Sequence, residues 1–100
     1  MASQGNGKQL LNKERAVNMI TVRFFAALRE QLSCDELSLP LNNIKNIEQV
    51  KQTLIGLHPH WQSHFENVSL LSAVNNDMVD MQSPVKAGDE VAFFPPVTGG

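Results

Sequence analysis

Cysteine is nearly absent: Cys34 is the one thiol in 100 residues. A single thiol excludes an internal disulfide framework, a cysteine-rich zinc site and a four-cysteine iron–sulfur cluster. It suits a reducing, cytoplasmic setting. Long apolar runs are missing as well. No stretch approaches the roughly 20 apolar residues of a membrane span. No apolar run before Met19 is longer than Leu10-Leu11, which is too short for a secretory signal. An excess of charge of either sign is also lacking. Eight Lys and Arg face ten Asp and Glu, a formal charge of −2. The basic stripe of a nucleic-acid binder is not there, so neither a nucleic acid nor a membrane is an expected partner. Lys86 and Gly88 do not form a Gly-x-x-x-x-Gly-Lys phosphate loop, so the chain is not expected to bind ATP by itself.

What is present is the balance of an ordinary soluble domain, with 42% hydrophobic and 18% charged residues. One core is expected at this length. Residues 1–18 are polar and hold no apolar period over two turns, so they read as a flexible N-terminal extension. The patterned domain spans 19–94, and 95–100 forms a separate tail.

Met19–Phe25 alternates with β-branched residues and reads as a strand. Ile20, Val22 and Phe24 share one face; Thr21, Arg23 and Phe25 share the other. Ala26–Leu32 is rich in helix formers. Glu36–Leu39 alternates again, and Pro40 marks it as an edge strand returning onto the first. Ile47, Val50, Leu54 and Leu57 trace one face of a helix. Asn46 is placed to cap that helix, with Gln49 as its capping-box partner, and Gly56 and Pro59 bracket its stop. Leu70–Asn75 is a short strand, Asn75-Asn76-Asp77 a turn, and Met78-Val79 a further strand. Glu90–Phe94 is the last strand. One amphipathic helix covers only one face of a small mixed sheet. The fold class is therefore two-layer α+β, in the order of the ubiquitin-like β-grasp.

The tail, Pro95-Pro96-Val97-Thr98-Gly99-Gly100, joins a stiff segment to a bare tip. Six extended residues reach about 20 Å. This shape suits a terminus that enters a narrow catalytic channel of another protein. A free α-carboxylate is ionised at neutral pH and is a poor acyl electrophile. Conversion to an acyl-adenylate supplies a leaving group. A sulfur nucleophile then yields a thiocarboxylate, and an amine yields an isopeptide. The residues by themselves leave both outcomes open.

The run from Gly88 to Gly100, GDEVAFFPPVTGG, is similar to the C-terminus of the molybdopterin synthase small-subunit (MoaD) family, part of the ThiS–MoaD group of sulfur carriers. Met19–Arg29 (MITVRFFAALR) resembles that family's opening, and Leu70–Asn75 (LLSAVN) also fits. The resemblance runs from Met19 to Gly100; the leader departs from it. It implies a β-grasp sulfur carrier. Gly100, behind Gly99, would be adenylated by an E1-like (MoeB-like) enzyme that consumes ATP. A cysteine desulfurase-type donor would then supply sulfur for the thiocarboxylate. Pro95, Pro96, Val97 and Thr98 would carry the tip into a MoaE-like large subunit, where sulfur passes to cyclic pyranopterin monophosphate. Two deliveries would build the molybdopterin dithiolene within a heterotetramer. The carrier holds no cofactor and no catalytic site of its own. Rival functions are a carrier for thiazole or transfer-RNA thiolation, a ubiquitin-like modifier and a structural β-grasp module. Pro-Pro-Val-Thr ahead of Gly-Gly favours the molybdopterin branch.

If the first and last strands are neighbours, Phe25 and Phe94 lie opposite the helix. They would then form a partner interface with Met78, and Arg29 would sit at its rim. His58, His60 and His64 cluster in sequence, but no regular conformation aligns all three, so no metal site is expected. Trp61 and Phe65, at i and i+4, are expected to pin that segment to the core. Cys34 lacks a placed base and is expected to be an incidental thiol.

Overall fold

The computed structural model describes residues 18–66 and 69–96. The leader, apart from Asn18, lies outside the described residues, and so do Val97, Thr98, Gly99 and Gly100.

Strand β1, Met19–Phe24, follows its alternation: Ile20, Val22 and Phe24 are buried and Arg23 is exposed. The chain then turns abruptly, with Ala26 in the left-handed region at φ 58°. Helix α1, Ala26–Leu32, presents Leu28 and Leu32 to the core at i, i+4 spacing. It closes in a Schellman arrangement. Ser33 is left-handed, its N–H bonds to the Glu30 carbonyl, and the Cys34 N–H bonds to the Arg29 carbonyl, both at 3.2 Å. Strand β2, Glu36–Pro40, returns antiparallel, pairing Met19 with Pro40 through to Arg23 with Glu36.

Helix α2, Ile47–Leu57, starts where the capping signal places it. The Asn46 side chain accepts from the Gln49 N–H at 2.9 Å. Gln49 returns its own bond to the Lys45 N–H at 2.7 Å, one residue outside the expected box. The Ile47 and Glu48 N–H groups donate to the carbonyls of Ser83 and Met81, so the loop before the last strand satisfies the helix N-terminus. Ile47, Val50 and Leu54 are buried, but Leu57 is 60% exposed, against the helix-face expectation. Leu57 is the last residue of the helix. A 3₁₀ turn, Pro59–Trp61, and a short helix α3, Gln62–Glu66, fill the inner layer with Trp61 and Phe65 instead.

Strands β3, Leu71–Val74, and β4, Asp77–Val79, form a two-residue hairpin. Asn75 and Asn76 both have positive φ, 50° and 73°, as a turn matched to strand twist requires. Strand β5, Glu90–Phe94, lies between β1, to which it is parallel, and β3, to which it is antiparallel. The sheet order is β2-β1-β5-β3-β4. Among the described residues the helices cover one face, giving the expected two-layer α+β grasp. At its centre Phe24 meets Trp61 edge-on at 5.5 Å and Phe93 in a stack at 6.4 Å, while Phe65 meets Phe93 edge-on at 5.6 Å. Each of these rings is buried, and a buried aromatic side chain removes a large apolar area from water.

Candidate functional site

Strand parity and register decide which residues reach the open face of the sheet, the face that no helix among the described residues covers. Val91 and Phe93 point into the core and are fully buried, so Glu90, Ala92 and Phe94 take the other side. Leu71 pairs with Phe94, Ala73 with Ala92, and Met78 with Ala73. Paired residues share a face, so Leu71, Ala73 and Met78 join them. Met78 is 59% exposed, while Phe94 and Leu71 are half-buried by their neighbours. The result is an apolar field over β5, β3 and β4 with a floor of small alanines.

Phe25 belongs to this field in a different way from the simple alternation. It has left the strand and caps α1, with its backbone still extended at φ −129° and ψ 160°. Its N–H bonds to the Phe93 carbonyl at 3.2 Å, which keeps it beside the end of β5. Its side chain remains 40% exposed. Arg29 lies one helical turn on, its N–H bonded to the Phe25 carbonyl at 3.4 Å. Arg29 also lines a shallow hollow of about 310 Å³ with Glu30, Ser33, Cys34 and Asp35. Pro95 and Pro96 leave β5 at the same apolar end, half-buried and exposed respectively. The predicted reactive residues, Gly99 and Gly100, and the predicted insertion residues Val97 and Thr98 lie outside the described residues.

Two features of this face escape the sequence reading. The first is a charged row across three strands. Arg23 donates from Nη1 to Glu90 Oε2 at 3.0 Å, and its Nε lies 3.6 Å from Glu36 Oε1. The hydrogen bond to Glu90, ahead of the charges of Glu90, Glu36 and Asp35, holds the guanidinium above its ordinary pKa. Its Cζ stands 5.4 Å from the centre of the Phe25 ring. Alternation puts Arg23 beside Phe25, but only the register brings the two glutamates to it. The second is a clamp at the start of β5. Buried Asp89 accepts from the Lys86 N–H at 2.9 Å and from the Asn75 amide at 3.0 Å. Asn75 in turn accepts from the Glu90 N–H at 3.0 Å. Burial pushes the Asp89 carboxyl up. The bonds from Lys86 and Asn75 and the Lys86 charge together outweigh it, and its pKa ends below the usual value. The clamp ties the β3–β4 turn to β5 and so sets where Phe94 and the tail emerge.

His58 stacks on Trp61 at 4.0 Å, and His60 is exposed. Among the described residues no three metal-ligating side chains converge. The half-buried Cys34 thiol donates to the Glu36 carbonyl at 3.6 Å. No helix among the described residues is long and apolar enough to cross a membrane.

The model of the ThiS family matches residues 22–100, from the middle of β1 through the tail. The chain belongs to the ThiS family. This ThiS-family chain is 40% identical over 82 residues to the molybdopterin synthase sulfur carrier subunit of Escherichia coli, covering 82% of this chain and all of that one. Its fold is similar to that of SAMP1 from Haloferax volcanii, with a TM-score of 0.68 at 24% identity over 82% of this chain and 99% of that one. It is also similar in fold to a chain in the complex of subunits 1 and 2 of the molybdopterin-converting factor from Helicobacter pylori. That likeness has a TM-score of 0.58 at 24% identity, over 82% of this chain and 99% of that one. These neighbours establish the ubiquitin-like β-grasp expected from the element order.

Proposed function

We propose that this chain is the sulfur-carrying subunit of a molybdopterin synthase. The observation that carries the reading is the segment GDEVAFFPPVTGG, whose strand β5 runs through the centre of the sheet and is followed by Pro95-Pro96. It stands in a chain that is 40% identical to a molybdopterin synthase sulfur carrier subunit along that protein's whole length.

In this reading the Gly100 carboxylate, behind Gly99, attacks ATP on an E1-like activating enzyme and becomes an acyl-adenylate. The outer sulfur of a persulfide on a cysteine desulfurase-type donor displaces AMP to give an acyl disulfide. A second thiol of the donor machinery then breaks the S–S bond, leaving the thiocarboxylate on Gly100 and a disulfide on the donor. The absence of a Cβ at Gly99 and Gly100 keeps the acyl carbon open to both attacks. The open face then docks on the large catalytic subunit through Phe25, Met78 and Phe94, with Arg29 at the rim. Pro95 to Thr98 guide the tip into that subunit's channel, where sulfur passes to cyclic pyranopterin monophosphate. Two deliveries complete the dithiolene in a heterotetramer. The carrier binds no cofactor, the ATP belongs to its activating enzyme, and the reaction is cytoplasmic.

Intact-mass measurement of the chain recovered from cells that contain the sulfuration machinery tests this. Exchange of one terminal oxygen for sulfur, lost on deletion of Gly100, is the expected result. The deletion also abolishes sulfur transfer while leaving the thermal midpoint in place. An unchanged mass accompanied by larger lysine-linked species overturns the proposal in favour of a modifier.

A further inference from the structure

We infer that Arg23 is a positioning residue for docking: clamped by Glu36 and Glu90, it holds the Phe25 ring in one orientation on the open face before a partner arrives. The inference rests on the reading of that face as the surface that meets the large subunit.

Phe25 has a particular problem of order. It lies one residue past the end of β1, and Ala26 behind it is already in the left-handed region. The bond from the Phe25 N–H to the Phe93 carbonyl holds the backbone, but it does not set the side-chain torsions of the ring. The ring is also 40% exposed, so core packing does not fix it either. Arg23, two residues earlier on the same side of β1, supplies the missing constraint with its guanidinium 5.4 Å from the ring centre. A cation at that distance is attracted to the face of an aromatic ring.

A free arginine would be a poor clamp, because its own side chain has many rotamers. Here it is fixed from both flanks. Glu36 is its direct cross-strand partner on β2, and its Nε lies 3.6 Å from Glu36 Oε1. Glu90 reaches Nη1 from β5 at 3.0 Å. Because the guanidinium is planar and presents its donors in a fixed fork, two carboxylates on different nitrogens set its plane. Exposed ion pairs of this kind add little to folding stability. They can still remove rotamer freedom that docking would otherwise have to remove.

A double-mutant cycle tests the assignment. The affinity of the full chain for a molybdopterin synthase large subunit is measured by calorimetry for Arg23→Ala, Phe25→Ala and the double variant, with a thermal melt of each. Arg23→Ala is expected to weaken binding about fivefold when Phe25 is present and to have no effect when Phe25 is alanine. The Arg23 side-chain protons should carry a ring-current shift in the free chain that Phe25→Leu abolishes. Additive effects of the two substitutions, or no ring-current shift, overturn the positioning role and leave the docking face intact. Unchanged affinity for Phe25→Ala overturns the docking face itself and this inference with it.

Discussion

Phe93 and Phe94 are adjacent in sequence and point to opposite faces of β5, so truncating each in turn separates folding from docking. Phe93 is fully buried, with the rings of Phe24 at 6.4 Å and Phe65 at 5.6 Å. Cutting such a ring back to alanine costs about 3–5 kcal/mol. A domain of about 80 residues holds roughly 4–12 kcal/mol in total. Phe93→Ala therefore removes a quarter or more of the stability and lowers the thermal midpoint by at least about 12 °C. Phe94 is half-buried on the open face. Its truncation gives up about 1 kcal/mol of burial, a shift of roughly 4–8 °C. Against the large subunit the order reverses. A central aromatic anchor contributes about 2 kcal/mol or more, so Phe94→Ala weakens binding about 30-fold. Melts followed by circular dichroism and titrations by calorimetry read both quantities on the same samples. A fall in midpoint for Phe94→Ala as large as that for Phe93→Ala makes Phe94 a core residue and refutes the face assignment. Unchanged affinity for a folded Phe94→Ala variant refutes docking through this surface.

Asp89→Ala leaves the Lys86 N–H and the Asn75 amide without their acceptor and should destabilise by about 1–3 kcal/mol at neutral pH. The native carboxyl pKa is depressed, so its contribution is present above the unfolded pKa and is lost as pH falls through the folded one. The gap in midpoint between wild type and variant should therefore narrow in acid, and a gap that widens there contradicts the clamp. Ala26 sits at φ 58°, where a Cβ costs about 1–2 kcal/mol. Ala26→Gly should raise the midpoint slightly, and a loss of stability would show that the turn is not strained. Gly88, at φ 88° with open space where a Cβ would point, should give the opposite sign: Gly88→Ala lowers the midpoint through the backbone alone.

Much of the element plan was legible because each segment carries its own period. MITVRF alternates, IEQVKQTLIGL has an apolar stripe, and Asn46 offers an oxygen to the Gln49 N–H. The part of the reading that failed did so at an element end. Leu57 continues the helical period, yet it is the last residue of the helix, just ahead of the Pro59 turn, and Trp61 and Phe65 take the core in its place. Phe25 likewise continues the strand period but leaves the ladder, since Ala26 has already turned the chain. Local spacing predicts what an element repeats; it does not predict where packing will cut that element short.

The sequence by itself determined that the tip is sterically bare and which residues of β1 and β5 alternate from face to face, because the period of a strand and the absence of a Cβ in Gly-Gly are properties of the local chain. Only the tertiary structure decided which strands meet. Laying β5 between β1 and β3 gathers Phe94, Leu71 and Met78 into one apolar field. The same arrangement draws Glu36 and Glu90 onto Arg23 from strands far apart in sequence. Such pairings depend on long-range register, and register is set by the joint burial of Phe24, Phe93 and their neighbours, not by any one segment.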